Sequence, residues 1–202
     1  MAHIILIRHG TTTWNDRGRL QGWSDASLTP AGRREAAGAA ALVDGVGEPR
    51  RIVTSPLSRA IETADIVAER TDIERIEVES GWRERSFGSL EGESAKTAFE
   101  THPELHPKSA AFSAGASLDG ESTRTVIERV RQCWRSIRRA DEPLVVVTHE
   151  TPIRSVTGLV DGIDPIEAIR RRSFTPGATI AVDDARRSVK SGPRLNELST
   201  DG

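Results

Sequence analysis

The chain has 202 residues, with 28 lysines and arginines against 30 aspartates and glutamates, which gives a formal net charge of −2 at pH 7. This length suits a single domain with a substantial core, and the balanced charge does not favour nucleic acid or another polyanion as a partner. A single cysteine, Cys133, excludes an internal disulfide and a metal site built from several thiolates.

The first apolar run, Ile4–Ile7, is too short for a signal peptide or a membrane span. We therefore expect a cytoplasmic protein without a membrane partner.

Three short apolar runs rich in branched side chains predict buried strands, at Ile4–Arg8, Arg51–Thr54 and Leu144–Thr148. Helical periodicity fills the intervals, with apolar faces along residues 57–67 and 126–137 and charged residues opposite them. Strands that alternate with helices in this way are typical of right-handed crossovers and a parallel sheet. The sequence therefore predicts an α/β fold, a three-layer sandwich whose mainly parallel central sheet is flanked by helices.

Helix starts are indicated where a capping residue precedes a proline, because proline is favoured at the first helical position. Four such pairs occur: Thr29-Pro30, Ser55-Pro56, Thr151-Pro152 and Asp164-Pro165. The second pair would place Arg59 about one turn into its helix.

The last third of the chain predicts a strand pair, at Arg170–Ser173 and Ala178–Asp183, around a Thr-Pro-Gly turn. Residues 94–117 lack firm periodicity. The chain turns polar after residue 183, so we predict one domain over residues 1–183 and a polar C-terminal tail over residues 184–202.

Polar side chains stand at the ends of the predicted strands, where ligands bind in open α/β sheets. His9 follows the first strand, Arg8 ends it, and His149 follows the Leu144–Thr148 strand. Arg59 can lean over the same edge from its helix. Two histidines and two arginines beside helix N-termini predict a phosphate pocket.

Six blocks of sequence carry a resemblance to the histidine phosphatase superfamily, the phosphoglycerate mutase-like proteins. The blocks follow the family's order: Arg8–Asn15 (RHGTTTWN), Leu20–Thr29, Ser55–Ala60, Arg83–Gly92, Gly120–Ser122 and Val147–His149. The resemblance extends from about Ile4 to Val182, and it is specific because six ordered blocks do not recur by chance.

The resemblance implies a mechanism in which His9 attacks phosphorus and forms a phosphohistidine that water then hydrolyses. Arg8, Arg59 and protonated His149 would stabilise the transferring group, without a metal or other cofactor. Glu84 matches the family's acid, although nearby Glu79, Glu91 and Glu93 are alternative carboxylates.

Substrate or phosphate contacts are expected from Asn15, from Gln21 and Gly22, from the backbone N–H groups of the Gly10 loop, and from the region of Glu150. Many relatives have a small residue after the second histidine, and a carboxylate there could repel polyphosphorylated substrates. Alternatively, Glu150 points away or pairs with an arginine.

The stretch between Gly92 and Gly120 is shorter than the insertion of the family's glycolytic mutases, and the chain has no tyrosine. A mutase must shield its phosphohistidine from water, so a short lid favours hydrolysis. We predict a metal-independent phosphomonoesterase acting on small phosphorylated metabolites and releasing inorganic phosphate. The alternatives are a phosphoglycerate mutase-type phosphotransferase and a noncatalytic phospho-ligand binding module. The sequence does not decide the oligomeric state.

Overall fold

Six strands form one sheet in a computed structural model of the protein, which describes residues 4–43, 48–107, 109–114, 117–183 and 188–191. The strands are β1 (Ile4–Arg8), β2 (Arg51–Thr54), β3 (Arg75–Val78), β4 (Leu144–Thr148), β5 (Thr179–Asp183) and β6 (Ser188–Ser191). Their order is β3-β2-β4-β1-β5-β6; β1, β2, β3 and β4 are parallel, and β5 and β6 are antiparallel to their neighbours.

The longer helices in the described residues cover the two faces of the sheet, and the shorter ones lie in the connections between strands and helices. They are α1 (Thr13–Asp16), α2 (Pro30–Val43), α3 (Ser58–Thr71), α4 (Ala95–Thr101), α5 (Ala110–Ala114), α6 (Thr123–Ile137), α7 (Glu150–Asp161) and α8 (Pro165–Arg171). Single 3-10 turns lie at Ser80–Trp82, Gly88–Leu90 and Pro103–Leu105. None of these helices combines the length and the apolar character that crossing a bilayer requires.

Alternating side chains of β1 feed two separate cores. Ile5 and Ile7 pack with the apolar faces of α2 and α3, whereas Ile4 and Leu6 pack with those of α6 and α7. Because β1 is buried on both faces, its sequence is continuously apolar rather than alternating. The predicted three-layer α/β sandwich with a mainly parallel sheet is confirmed.

Two of the four predicted helix starts are correct, at Pro30 and Pro165. Helix α3 instead begins at Ser58, so Arg59 is its second residue rather than one turn in. Helix α7 begins at Glu150 with His149 as its N-cap, which puts Pro152 at the third helical position. Proline is tolerated there because the first four N–H groups of a helix have no intrahelical partner.

The prediction of a strand at Arg170–Ser173 is wrong, since the first two of these residues end α8 and no strand follows before β5. Within the predicted tail, Ser188–Ser191 forms the edge strand β6; residues 184–187 and 192–202 lie outside the described residues. The division at residue 183 stays a prediction. Residues 94–117 contain two short helices, α4 and α5, where the sequence lacked periodicity.

Candidate functional site

The carboxyl ends of β1 and β4 bring the two predicted histidines together. Arg8 pairs with Thr148 in the register of the sheet, and the His9 N–H donates to the Thr148 carbonyl at 3.0 Å. The ring centroids of His9 and His149 are consequently 5.1 Å apart.

A cavity of about 280 Å³ opens at this edge of the sheet. Eight of the nine predicted site residues line it: Arg8, His9, Asn15, Gln21, Gly22, Arg59, Glu84 and Glu150. The ninth, His149, is fully buried behind this lining. Five arginines and two glutamates contribute to the wall, so the cavity is positively charged and suited to an anion.

The tautomer of His9 follows from its hydrogen bonds. Nδ1 lies 2.8 Å from the Gly10 carbonyl oxygen, which can only accept, so Nδ1 carries the proton. Nε2 is left with its lone pair and accepts a long hydrogen bond, 3.3 Å, from Nε of Arg59. Burial, reinforced by Arg59 and Arg8, holds the pKa of His9 well below its ordinary value. A neutral imidazole whose Nε2 carries a lone pair is the form a nucleophile needs, and the long hydrogen bond from Arg59 has to yield to an attacked phosphorus atom.

Arg59 is 1% exposed and connects His9 to a neighbouring loop. Besides His9, its guanidinium donates to the carbonyls of Gly22 at 2.7 Å and Ser24 at 3.0 Å. Burial lowers the pKa of Arg59 to about 10, with Glu84 opposing it, so the side chain stays charged at neutral pH. Arg59 therefore orients His9 and adds positive charge to the cavity.

The loop that receives Arg59 is anchored by Glu91, a residue that the sequence offered only as an alternative acid. Its carboxylate accepts from Ser24 (N–H and Oγ), the Trp23 N–H, Ser86 Oγ and the Phe87 N–H, at 2.6 to 3.0 Å. Burial raises the pKa of Glu91, but these hydrogen bonds outweigh burial and the pKa lies below its ordinary value. Glu91 is thus an ionised anchor for the loop.

His149 is fully buried, and its Nε2 lies 2.8 Å from Ser55 Oγ. Burial and the neighbouring Arg59 hold its pKa well below the ordinary value, so in this structure the ring is neutral at pH 7. A protonated His149 during phosphoryl transfer, which the resemblance implies, stays a prediction. Nδ1 of this ring is buried without a hydrogen-bond partner among the described residues.

Glu150 pairs with arginines, which decides between the alternatives left open by the sequence. Its carboxylate lies 2.9 Å from Nη1 of Arg8 and contacts Nη2 of Arg154, while still lining the cavity. Burial lowers the pKa of Arg8, and the Glu150 carboxylate opposes that change. Glu150 thus partly neutralises Arg8 instead of leaving a bare negative charge in the site.

Of the four candidate acids, Glu84 lines the cavity. Its Oε1 accepts from its neighbour's N–H, that of Arg85, at 2.8 Å, and its Oε2 accepts from the Thr151 N–H at 3.3 Å. Glu79 caps a 3-10 turn, and in the described part of the chain neither Glu79, Glu91 nor Glu93 reaches the cavity wall.

The backbone of the Gly10 loop is not available to an anion, contrary to expectation. The N–H groups of residues 10, 11 and 12 donate to Thr63 Oγ1, Glu35 Oε2 and Asn15 Oδ1. Because Oδ1 of Asn15 faces this loop, its amide nitrogen is the atom that can donate into the cavity. Gln21 likewise places Oε1 2.9 Å from a threonine hydroxyl, that of Thr12.

Three further arginines line the cavity and were missed from the sequence: Arg19, Arg85 and Arg154. Arg154 lies one helical turn after Glu150, so the spacing of four residues could have indicated it. No cluster of His, Cys, Asp or Glu able to hold a metal ion occurs among the residues described.

The sequence of the chain is similar to those of known phosphatases and mutases. The model of the histidine phosphatase superfamily (branch 1) matches residues 4–190. A 2,3-bisphosphoglycerate-dependent phosphoglycerate mutase of Nitratidesulfovibrio vulgaris (strain DP4) is 30% identical over 210 residues, covering 88% of this chain and 84% of the mutase. A metal-independent phosphoserine phosphatase of Arabidopsis thaliana is 32% identical over 162 residues, covering 77% of this chain and 67% of that protein.

Among solved structures, a mycobacterial glucosyl-3-phosphoglycerate phosphatase in complex with VO3 superimposes with a TM-score of 0.77 at 25% identity. The superposition covers 90% of this chain and 92% of that one. Mutases and phosphatases thus both occur among the similar proteins.

Proposed function

We propose that this chain, which belongs to the histidine phosphatase superfamily, is a phosphomonoesterase that hydrolyses small organic phosphates through a phosphohistidine on His9. The observation that carries the proposal is the state of the His9 ring. It is neutral, its Nδ1–H is fixed on the Gly10 carbonyl, and its Nε2 lone pair lies in a cavity of net positive charge.

In the first step, Nε2 of His9 forms a bond to phosphorus as the ester P–O bond breaks. Glu84, entering this step as the carboxylic acid, gives its proton to the leaving alkoxide. In the second step the same carboxylate takes a proton from water, the water oxygen bonds to phosphorus, and the P–N bond breaks. Inorganic phosphate leaves and His9 recovers its lone pair.

Two buried nitrogens lack hydrogen-bond partners among the described residues, namely Nε of Arg8, which is a donor, and Nδ1 of His149, which is a donor in the tautomer that accepts from Ser55 and in the protonated ring. An unsatisfied buried polar atom is costly, and an anion beside the two rings would supply the missing acceptor. The negative charge of a phosphoryl group would also favour protonation of His149, which burial and the neighbouring Arg59 disfavour. These atoms support stabilisation of the transferring group by protein cations, so we propose that the reaction needs no metal.

Hydrolysis is favoured over transfer to a second substrate because the lid over residues 94–117 is short, and its described residues form two short helices, α4 and α5, and one 3-10 turn. The phosphatases among the similar proteins support the same preference. We propose small phosphorylated metabolites and phosphate as the ligands, a cytoplasmic location, and no nucleic-acid or membrane partner.

The test is release of phosphate from p-nitrophenyl phosphate and a panel of metabolite phosphates, in EDTA. Wild type should release phosphate and form an acid-labile phosphoprotein, while His9→Asn should do neither. Asparagine keeps a donor for the Gly10 carbonyl but has no nucleophilic nitrogen. His102→Asn is the matched control, because His102 does not line the cavity.

Transfer of the phosphoryl group to a second hydroxyl, with no free phosphate, would assign a mutase instead. Saturable phosphate binding without any phosphoprotein would assign a binding module. Activity that EDTA abolishes and a divalent cation restores would contradict the metal-free mechanism.

A further inference from the structure

Part of the cavity wall is formed by apolar side chains rather than by charged ones. Its apolar members come from several segments: Leu20, Phe87, Phe99, Leu105, Phe112 and Ile169. Three of the four phenylalanines of the protein are among them. Several aromatic rings in the wall of a cationic cavity call for an explanation in terms of the substrate.

The lid contributes mainly apolar side chains to the cavity wall, although its sequence is largely polar. Residues 94–107 are mostly polar, yet the side chains that this part of the lid presents to the cavity are Phe99, Leu105 and Pro107. Polar neighbours such as Glu100 and Glu104 do not line it. A lid built to bind the hydroxyls of a sugar would direct hydrogen-bonding groups inward.

The apolar wall belongs to two small clusters that are separate from the main cores. Phe87 and Phe99 pack on one cluster, which contains Leu20 and Leu105, while Phe112 and Ile169 form another with Ile127. Phe87 and Phe99 are only half-buried, so each keeps apolar surface that a ligand could cover. Covering such surface is favourable in proportion to the area removed from water.

Several charged groups of the wall are already engaged by the protein. Arg154 contacts Glu150, Arg19 donates to the Gly92 carbonyl at 2.6 Å, and Arg85 donates to the Glu121 carbonyl at 2.9 Å. The Arg85 guanidinium also lies 5.4 Å and 5.1 Å from the ring centroids of Phe87 and Phe112. A second anionic group on the substrate would have to compete with these contacts.

We infer that the natural substrates are phosphomonoesters of apolar alcohols, with an aromatic ring or a hydrocarbon chain, rather than sugar phosphates or phosphoglycerates. The inference rests on the proposed phosphatase function. The phosphoryl group lies against His9, and the hydrocarbon covers the half-buried rings of Phe87 and Phe99.

The experiment measures kcat/KM for a series of n-alkyl phosphates from ethyl to hexyl, with glycerol 3-phosphate and 3-phosphoglycerate for comparison. The leaving alcohols of the alkyl series differ little in acidity, so the trend reports contact with the wall. We expect kcat/KM to rise about three- to fourfold per methylene until the cavity is filled, and hexyl phosphate to exceed both polar esters.

Phe99→Ser should flatten this trend, since it removes one ring from the wall. Leu118→Ser is the matched control, because Leu118 is exposed, belongs to the same region of the chain and does not line the cavity. Each variant is first compared with wild type by circular dichroism, and the wild-type series tests the inference even if Phe99→Ser fails to fold.

Phosphate release that is flat or falling along the series, or fastest with 3-phosphoglycerate, would overturn the inference and leave the phosphatase function standing. No phosphate from any ester would overturn the phosphatase function itself. The two failures are therefore distinguishable in one set of assays.

Discussion

Acidification should destabilise the fold through His9 and His149, because both are buried in neutral form. Burial and nearby arginines hold both pKa values well below the ordinary value, so the folded protein does not take up these protons while the unfolded chain does. Stability contributed in this way is present above the unfolded pKa of about 6.5 and is lost as the pH falls below it. Between about pH 7.5 and about pH 5.5, each histidine should lower the free energy of unfolding by about 1.4 kcal/mol, and the pair by about 2.7 kcal/mol.

Urea unfolding at the two pH values measures this loss, provided that wild type is compared with a variant lacking both titrations. His9→Asn retains a donor for the Gly10 carbonyl, and His149→Gln retains a polar atom near the position of Nε2 for the Ser55 hydroxyl. The double variant should lose about 2.7 kcal/mol less than wild type on acidification, because all other groups titrate alike in both.

Equal losses in wild type and in the double variant would refute the reasoning, since they would mean that the two rings take up protons in the folded state. The pKa of His9 would then lie near its ordinary value of about 6.5, and burial would not be what keeps the ring neutral at pH 7.

Three other outcomes are expected. Glu84→Gln should slow hydrolysis of alkyl phosphates at least about a hundredfold but that of p-nitrophenyl phosphate much less, because only the poorer leaving group needs a proton; equal slowing in steady-state assays would remove Glu84 as the acid. Arg59→Ala should lower kcat and also raise the inhibition constant of phosphate, since the side chain orients His9 as well as adding charge; an unchanged inhibition constant would contradict its place in the anion site. Glu150→Gln should strengthen phosphate inhibition by roughly three- to tenfold, because Arg8 loses its carboxylate partner; weaker inhibition would mean that the ion pair positions Arg8.

The strands that carry the site were predictable because they are buried on both faces. β1, β2 and β4 read as continuous apolar runs, and a parallel sheet then obliges the residues after them, among them His9 and His149, to meet at one edge. By contrast β3 pairs only with β2 and exposes most of its side chains, so its sequence carries no burial signal. The edge strand β6 is short, and none of its four residues is fully buried.

The side-chain partners were less predictable, since they depend on contacts between distant segments. Whether a backbone N–H faces a ligand or a side chain is not encoded locally, and the Gly10 N–H is in fact taken by Thr63, which lies 53 residues further on. The anchoring role of Glu91 likewise depends on donors from two separate loops. The pairing of Glu150 with Arg154 is a local i, i+4 contact and could have been derived.

The chain of contacts from Glu91 through Gly22 and Arg59 to His9 has a consequence for engineering. A side chain on Gly22 would meet the Glu91 carboxylate at 2.1 Å, and Gly22 also has a φ of +52°, so this glycine and its anchor constrain each other. The Gly22 carbonyl in turn receives Arg59, whose Nε reaches His9. Transplanting the Arg-His-Gly tripeptide onto another sheet would carry over the imidazole ring of His9 without Arg59 and the loop that hold the ring in its orientation. The smallest unit that could be grafted successfully includes the loop over residues 21–24 together with Glu91, and substitutions within that unit should show strong epistasis.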